Sequence, residues 1–220
     1  MNLKRLAGEY AVHFVQDGMK IGLGTGSTVY WAIQRLGQLV KEGLTIEAVP
    51  TSIETEKLAT ELSIPLRLDN TIDYLDLTID GADEINPNLQ LTKGGGGALF
   101  REKIVAASSR KLIIIADESK QVEELGTFPL PIEIIPFAYN QTEKKIQSLG
   151  CQTVLRMKNG VPFLTDNGNF ILDCKFPNQI TDPLEMNHRL KMITGVIETG
   201  LFINMVHKAI IGTENGIIEL

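Results

Sequence analysis

Three short segments hold most of the residues that could do chemistry. Gly22-Leu23-Gly24-Thr25-Gly26-Ser27-Thr28 offers clustered main-chain amides and three hydroxyls. At the mouth of a helix that donor set cradles a phosphate, because the amides converge and the helix start is partly positive. Asp80-Gly81-Ala82-Asp83-Glu84 packs three carboxylates into five residues. Neighbouring acids raise one another's pKa and can divide acid and base roles. Lys93-Gly94-Gly95-Gly96-Gly97 adds more amides and a point positive charge, and Arg101-Glu102-Lys103 follows closely. Together these groups suit a phosphorylated, hydroxyl-rich small molecule on which protons are moved.

Each segment also has a plainer reading. The first could be a tight strand-to-helix turn with Ser27 or Thr28 as N-cap. It is not a dinucleotide fingerprint, because Ser27 stands where the third glycine belongs and Val49-Pro50-Thr51 where a ribose-binding acid belongs. It also lacks the Gly-Lys-Ser/Thr of a P-loop. The acidic segment could be a metal site, a proton-transfer site, or a solvated turn with Asp83 as helix cap. A metal needs more hard ligands or a histidine, and His13, His188 and His207 all lie far off in sequence. Four successive glycines would cost roughly 0.5–1 kcal/mol each relative to alanine inside regular structure. A linker would tolerate that, but Leu89, Leu91, Ala98 and Leu99 flank the run and read as buried. A rigid loop whose amides face a ligand fits better. Glu102 alone could be an exposed helix acid, and composition does not choose it over Asp80, Asp83 or Glu84 as a base. Lys120 in Asp117-Glu118-Ser119-Lys120 follows a strand, where open α/β sheets bind ligands, or is a solvated lysine. Trp31 reads as core or interface.

The elements that must position these groups alternate. Helical spacing covers residues 3–17, 29–42, a stretch opened by Ser52, and 98–108. Apolar β-prone runs cover 19–23, 45–49, 64–68, 75–79 and 111–116. The pattern predicts an α/β domain: a Rossmann-like, mostly parallel sheet with helices on both faces. Phe128-Pro129-Leu130-Pro131 marks a change. Beyond it come strands at 132–135, 152–156, 170–174 and 196–199, helices at 141–149 and 183–192, and turns at Lys158-Asn159-Gly160 and Asp166-Asn167-Gly168. That order predicts a small α+β, ferredoxin-like (split-βαβ) second domain. The expected division is 1–127 plus 200–220 for the α/β domain and 128–199 for the small one, a lid or oligomer contact. Residues 209–220, a β pair around Glu214-Asn215-Gly216, return to the first.

A net charge of −6 gives no general attraction to nucleic acid or to anionic membranes, so an anionic ligand must be held by local groups. No apolar run approaches the roughly 18 residues of a membrane span, and residues 1–18 show no secretory h-region. Cys151 and Cys174 have no CxxC spacing and read as buried or free thiols. The expected location is the cytoplasm.

Read in order, Gly24-Thr25-Gly26-Ser27-Thr28, Asp80-Gly81-Ala82-Asp83-Glu84-Ile85, Lys93-Gly94-Gly95-Gly96, Arg101-Glu102-Lys103, Ala116-Asp117-Glu118-Ser119-Lys120, Phe128-Pro129-Leu130-Pro131, Thr165-Asp166-Asn167-Gly168-Asn169 and Gly200-Leu201-Phe202 resemble the type A ribose-5-phosphate isomerases. The resemblance implies an aldose–ketose isomerase that interconverts ribose 5-phosphate and ribulose 5-phosphate through an enediolate. It implies Glu102 as general base, with Asp80, Asp83 and Lys93 as polar catalytic groups. Substrate-binding positions would be Thr25, Gly26, Ser27, Thr28, Asp80, Gly81, Ala82, Asp83, Lys93, Gly94, Gly95, Gly96 and Lys120, with Lys4 a peripheral phosphate-side lysine. It further implies a homo-oligomer, dimer or tetramer, with a sugar phosphate as small-molecule partner and no metal or organic cofactor. Gly97 and Phe100 depart from the family pattern, which has Ala and a small polar residue there. Rival readings are a related sugar-phosphate enzyme, such as an amino-sugar-phosphate deaminase or an acyl-carrier transferase, and a sugar-phosphate sensor domain. A regulator needs a DNA-binding module, and only one helix precedes the first glycine loop.

Overall fold

A computed structural model describes residues 2–69 and 71–220. The chain forms two units: residues 1–82, 101–121 and 205–220 in the first, 83–100 and 122–204 in the second.

The first unit is built on a six-stranded sheet. Its order is Gly216–Glu219, Lys208–Thr213, Leu112–Asp117, Leu77–Gly81, Lys20–Leu23, Glu47–Pro50. Five strands run parallel and the hairpin strand Gly216–Glu219 closes one edge antiparallel. Parallel strands are covered on both faces, which is why Leu112–Asp117 is buried along its whole length. Successive side chains on a strand point to opposite faces. Ile21 and Leu23 therefore join the core beneath the helices Leu3–Ala11 and Val29–Lys41. Gly22, between them, faces the other way: a Cβ there would fall 2.5 Å from Val105 of the helix Leu99–Ala107. The order of the strands reverses between Lys20–Leu23 and Leu77–Gly81, and such switch points are where open α/β sheets receive ligands. The expected helix 3–17 ends at Ala11 and tightens into a 3₁₀ turn, Val12–Phe14. The expected strand 64–68 shrinks to a single bridge between Leu66 and Ala48.

The second unit contains a four-stranded antiparallel sheet in the order Val196–Thr199, Leu130–Ile134, Phe170–Lys175, Gln152–Leu155. The helices Tyr139–Gln147 and Pro183–Lys191 complete the two split βαβ halves. One apolar core, including Leu130, Ile132, Ile146, Leu172 and Leu190, fills it. Asn159 and Gly160 both take positive φ and turn the hairpin Met157–Lys158/Val161–Pro162, as their types foretold. A further three-stranded ribbon, Leu201–Phe202, Leu91–Thr92 and Glu84–Ile85, was not foreseen.

That ribbon explains why residues 83–100, 122–127 and 200–204 pack with the second unit, where the expected division had them in the first. The buried Glu84 carboxylate accepts hydrogen bonds from Thr92 Oγ1 (2.7 Å), Gly126 N (3.0 Å) and Phe128 N (2.7 Å). No helix among the described residues is long and apolar enough to cross a membrane. Cys151 and Cys174 are buried free thiols.

Candidate functional site

In the first unit the predicted residues gather at the carboxyl ends of the strands. Leu23 ends its strand, and Gly24-Thr25-Gly26-Ser27-Thr28 leads into the helix Val29–Lys41. Asp80 lies in the neighbouring strand and is fully buried. Its Oδ1 accepts from Gly81 N (2.7 Å) and Thr25 N (3.2 Å), so main-chain amides hold the carboxylate in place. Gly24 makes the room: a Cβ there would sit 2.0 Å from Asp80 Oδ1. Thr25 Oγ1 turns inward to Thr51 Oγ1 (2.7 Å) and Ser52 Oγ (2.9 Å). Ser52 in turn caps the helix Ile53–Glu61 through Thr55 N (3.0 Å), as its type predicted. The loop is thus fixed by hydroxyls, leaving Gly26 and Ser27 exposed. Thr28 takes the N-cap position without a side-chain cap bond.

Lys4 belongs beside this loop. It donates from Nζ to Ser27 Oγ at 3.0 Å, placing a cation against the exposed hydroxyl. Lys120 closes a 3₁₀ turn, Glu118–Lys120, just past the strand Leu112–Asp117. That turn is capped by the Asp117 carboxylate through Ser119 N at 3.0 Å. Glu102 sits in the first turn of the helix Leu99–Ala107 and is 4% exposed. Its neighbour three residues on, Val105, packs toward Gly22, so both face the sheet. The helix's far end is tied beside the start of the strand Leu77–Gly81 by Ser109 Oγ to Thr78 Oγ1 (2.6 Å). Its start therefore points toward the carboxyl ends of the strands, where Asp80 and Gly81 lie.

The second unit carries the other predicted residues. Asp83 is half-buried; its backbone N donates to Thr92 O (2.9 Å), and its Oδ2 accepts from Gly95 N (2.7 Å). It precedes a strand, so the helix-cap reading of Asp83 is overturned. Glu84, with both oxygens occupied as described above, serves the ribbon. Lys93 is 2% exposed, its Nζ lies 5.3 Å from the centre of the Phe202 ring, and its N donates to Gly200 O (2.8 Å). Gly94 is buried while Gly95 and Gly96 are exposed. Gly97 has φ +84°, and a Cβ on it would strike the Phe163 ring at 2.5 Å, which gives the departure at this position a physical reason.

Two residues that the sequence reading did not single out hold this glycine loop. Arg156 donates from Nη1 to Gly94 O (2.8 Å) and Gly95 O (3.2 Å), and Asp173 grips the same guanidinium. No local signal marks Arg156, which is 61 positions from Gly95. No group of three or more His, Cys, Asp or Glu arranged to hold a metal occurs among the described residues.

Comparison with known proteins agrees over the whole length. The sequence profile of the family described as ribose 5-phosphate isomerase A (phosphoriboisomerase A) matches residues 47–216. Ribose-5-phosphate isomerase A of Bacillus mycoides (strain KBAB4) is 73% identical over 219 residues, covering 100% of this chain and 99% of that one. The ribose 5-phosphate isomerase structure from Plasmodium falciparum superposes with a TM-score of 0.95 at 44% identity, covering 99% of this chain and 97% of that one. A D-ribose-5-phosphate isomerase in complex with phospho-erythronic acid gives 0.96 at 42% identity, covering 100% and 99%. With the α/β sheet, the amide-held carboxylates and these matches in hand, the chain belongs to the ribose 5-phosphate isomerase A family.

Proposed function

We propose that this chain interconverts ribose 5-phosphate and ribulose 5-phosphate by moving one proton between C1 and C2 through an enediolate, with no metal or organic cofactor. One observation above all supports this reading. Two acids three residues apart, Asp80 and Asp83, are each fixed by main-chain amides of glycine-rich loops. Such groups are preorganised for hydroxyl-proton transfer and need not reorganise during the reaction.

Glu102 carries the carbon-bound proton. Its burial keeps water from competing for that proton. Lys93 and the amides of Gly94 and Gly96 stabilise the developing oxyanion, each such donor being worth about 2.7–4 kcal/mol in comparable sites, while the Gly95 amide holds Asp83. Asp80 and Asp83 move hydroxyl protons and help open the sugar ring, with Gly81 and Ala82 small enough to admit the substrate. Lys120, Lys4, Gly26, Ser27 and Thr28 anchor the phosphate by charge-assisted hydrogen bonds, and Thr25 holds their loop in place from within. A cytoplasmic homo-oligomer, dimer or tetramer, with residues 128–199 as lid or subunit contact, completes the proposal.

A coupled assay of ribose 5-phosphate conversion in excess chelator tests it. Conversion in chelator is the expected result. Absence of conversion under every metal condition rejects the reaction, and activity restored only by a divalent ion rejects the cofactor-free part. Ammonia release from an amino-sugar phosphate would favour the deaminase rival.

A further inference from the structure

We infer that Arg156, clamped by Asp173, is a positioning residue for the reaction: it aims the amides of the Gly94–Gly96 loop. The inference deepens the proposed function, since it rests on that loop being the oxyanion-side loop.

The geometry is specific. Arg156 Nε and Nη2 donate to the two oxygens of Asp173 at 2.9 and 2.5 Å, a forked pair that fixes the guanidinium plane. The Arg156 and Asp173 side chains are only 15% and 25% exposed. The backbone beneath is pinned as well, with Arg156 N donating to Ile171 O and Phe163 N to Arg156 O, both at 2.9 Å. The remaining Nη1 reaches two successive loop carbonyls, Gly94 O at 2.8 Å and Gly95 O at 3.2 Å.

Those two contacts, together with Gly97 N donating to Gly94 O, set where the amides point. In a trans peptide the C=O and N–H project to opposite sides. With the Gly94 carbonyl held by Arg156, the Gly95 N–H must face away from it, and it meets Asp83 Oδ2 at 2.7 Å. With the Gly95 carbonyl held, the Gly96 N–H also faces away from Arg156. One peptide unit thus links the guanidinium to the Asp83 carboxylate, and Arg156 orders Asp83 without touching it. The Gly97 N–H closes a turn on the Gly94 carbonyl at 2.9 Å, and Arg156 adds the contact that reaches the next carbonyl, that of Gly95, in a run of four glycines with wide backbone freedom. A lysine could supply the charge but not the planar fork that holds two carbonyls and a carboxylate together.

A cavity of about 500 Å³ opens on the Arg156 side, lined in part by Gly95, Phe128, Val154, Asp173 and Lys175. It gives small solutes access to the guanidinium position, and so permits chemical rescue.

The experiment measures kcat, KM and thermal midpoint for the wild type, Arg156→Ala, Arg156→Lys and Asp173→Asn, with and without millimolar guanidinium chloride. Arg156→Ala should lose roughly 10- to 100-fold in kcat, as expected for a reactive group misplaced from a distance, with little change in KM. Added guanidinium should restore part of that loss in Arg156→Ala and none in Arg156→Lys. Asp173→Asn should show a smaller loss in the same direction. Unchanged kcat in Arg156→Ala, a loss confined to KM, or a loss that follows the thermal midpoint and resists guanidinium would overturn the inference. If Arg156→Ala does not fold, Arg156→Lys decides: reduced kcat at an unchanged midpoint supports positioning, and wild-type kcat refutes it. A wild type unable to isomerise ribose 5-phosphate would instead sink the proposed function, so the two failures are distinguishable.

Discussion

Asp80 and Asp83 solve one problem by different means in the two units. Asp80 is fully buried in a strand and held by the amide of the following residue, Gly81, and by that of Thr25 in the loop after the adjacent strand. Its support is a parallel sheet plus a cluster of neutral hydroxyls around Thr25. Asp83 is half-buried just ahead of the two-residue strand Glu84–Ile85, held by one glycine amide whose peptide is braced by a charged side chain. Regular structure suffices where the site residue lies at a strand end. Where a glycine loop holds it, a side chain distant in sequence braces that loop.

The largest expected effect tests whether the buried acid of the first unit dominates the chemistry. Glu102→Gln should lower turnover roughly 10²–10⁴-fold while substrate still binds, the usual cost of losing a positioned base. Steady-state kinetics with a substrate-analogue titration check this. Near-normal turnover would move the base to another carboxylate.

Next comes a matched pair of glycine substitutions. At Gly24 the new Cβ meets Asp80 at its Oδ1, Cγ and Cα, within 2.7 Å, so backbone itself is in the way. Gly24→Ala should cost about 1–3 kcal/mol of stability by overpacking, besides activity. At Gly95 the three atoms nearest the added Cβ all belong to the Asp83 carboxyl group, the closest 2.6 Å away, at the end of a side chain rather than on backbone. Gly95→Ala should leave stability within about 0.5 kcal/mol and lower kcat by displacing Asp83. Denaturant melts followed by Trp31, the chain's single tryptophan, and kinetics on both variants decide. Equal destabilisation would erase the distinction between the units.

The same contrast governs what could be read from sequence. The first unit's helices and strands follow strong periodicity, and most of their predicted ends fall within two residues. Its loop residues are contiguous, so Thr25 through Thr28 and Asp80 through Ala82 could be found as motifs. Lys4 beside Ser27, 23 positions apart, became visible only through resemblance. In the second unit, two-residue strands such as Glu84–Ile85 and Leu91–Thr92 are too short to carry a period. Glu84 looked like a candidate base because nothing local shows that Gly126 and Phe128 occupy it. Arg156 lies in the one-residue gap between the strands Gln152–Leu155 and Met157–Lys158 and Asp173 in the strand Phe170–Lys175, and their meeting is decided by the antiparallel pairing of Gln152–Leu155 with Phe170–Lys175.

A smaller effect probes the edge of the first unit's loop cluster. Under the proposed function, Lys120→Ala should chiefly raise KM, because a half-buried phosphate anchor contributes binding more than transition-state stabilisation. Inhibition by a phosphorylated analogue should weaken in parallel. An unchanged KM would remove Lys120 from the phosphate site and leave Lys4 and the hydroxyl loop to hold the anion.

The smallest effect is electrostatic and belongs to the first unit alone. Glu219, on the edge strand, accepts from Tyr10 Oη at 2.6 Å and pairs with Lys208. The lysine first, then the phenol, hold its carboxyl below the ordinary glutamate range, and the same carboxylate pushes the Tyr10 phenol up. A depressed carboxyl stabilises the folded state fully above its unfolded pKa, about 4.3, and loses that contribution as pH falls through the lower folded value. Wild type should therefore exceed Glu219→Gln in stability at pH 7, by a small margin because the pair is solvent-exposed. The gap should close below about pH 4. Trp31-monitored melts across that range test it, since Trp31 and Glu219 lie in the same unit. A gap that persists in acid would mean that packing of the glutamate stem, not its charge, ties the last strand to the opening helix.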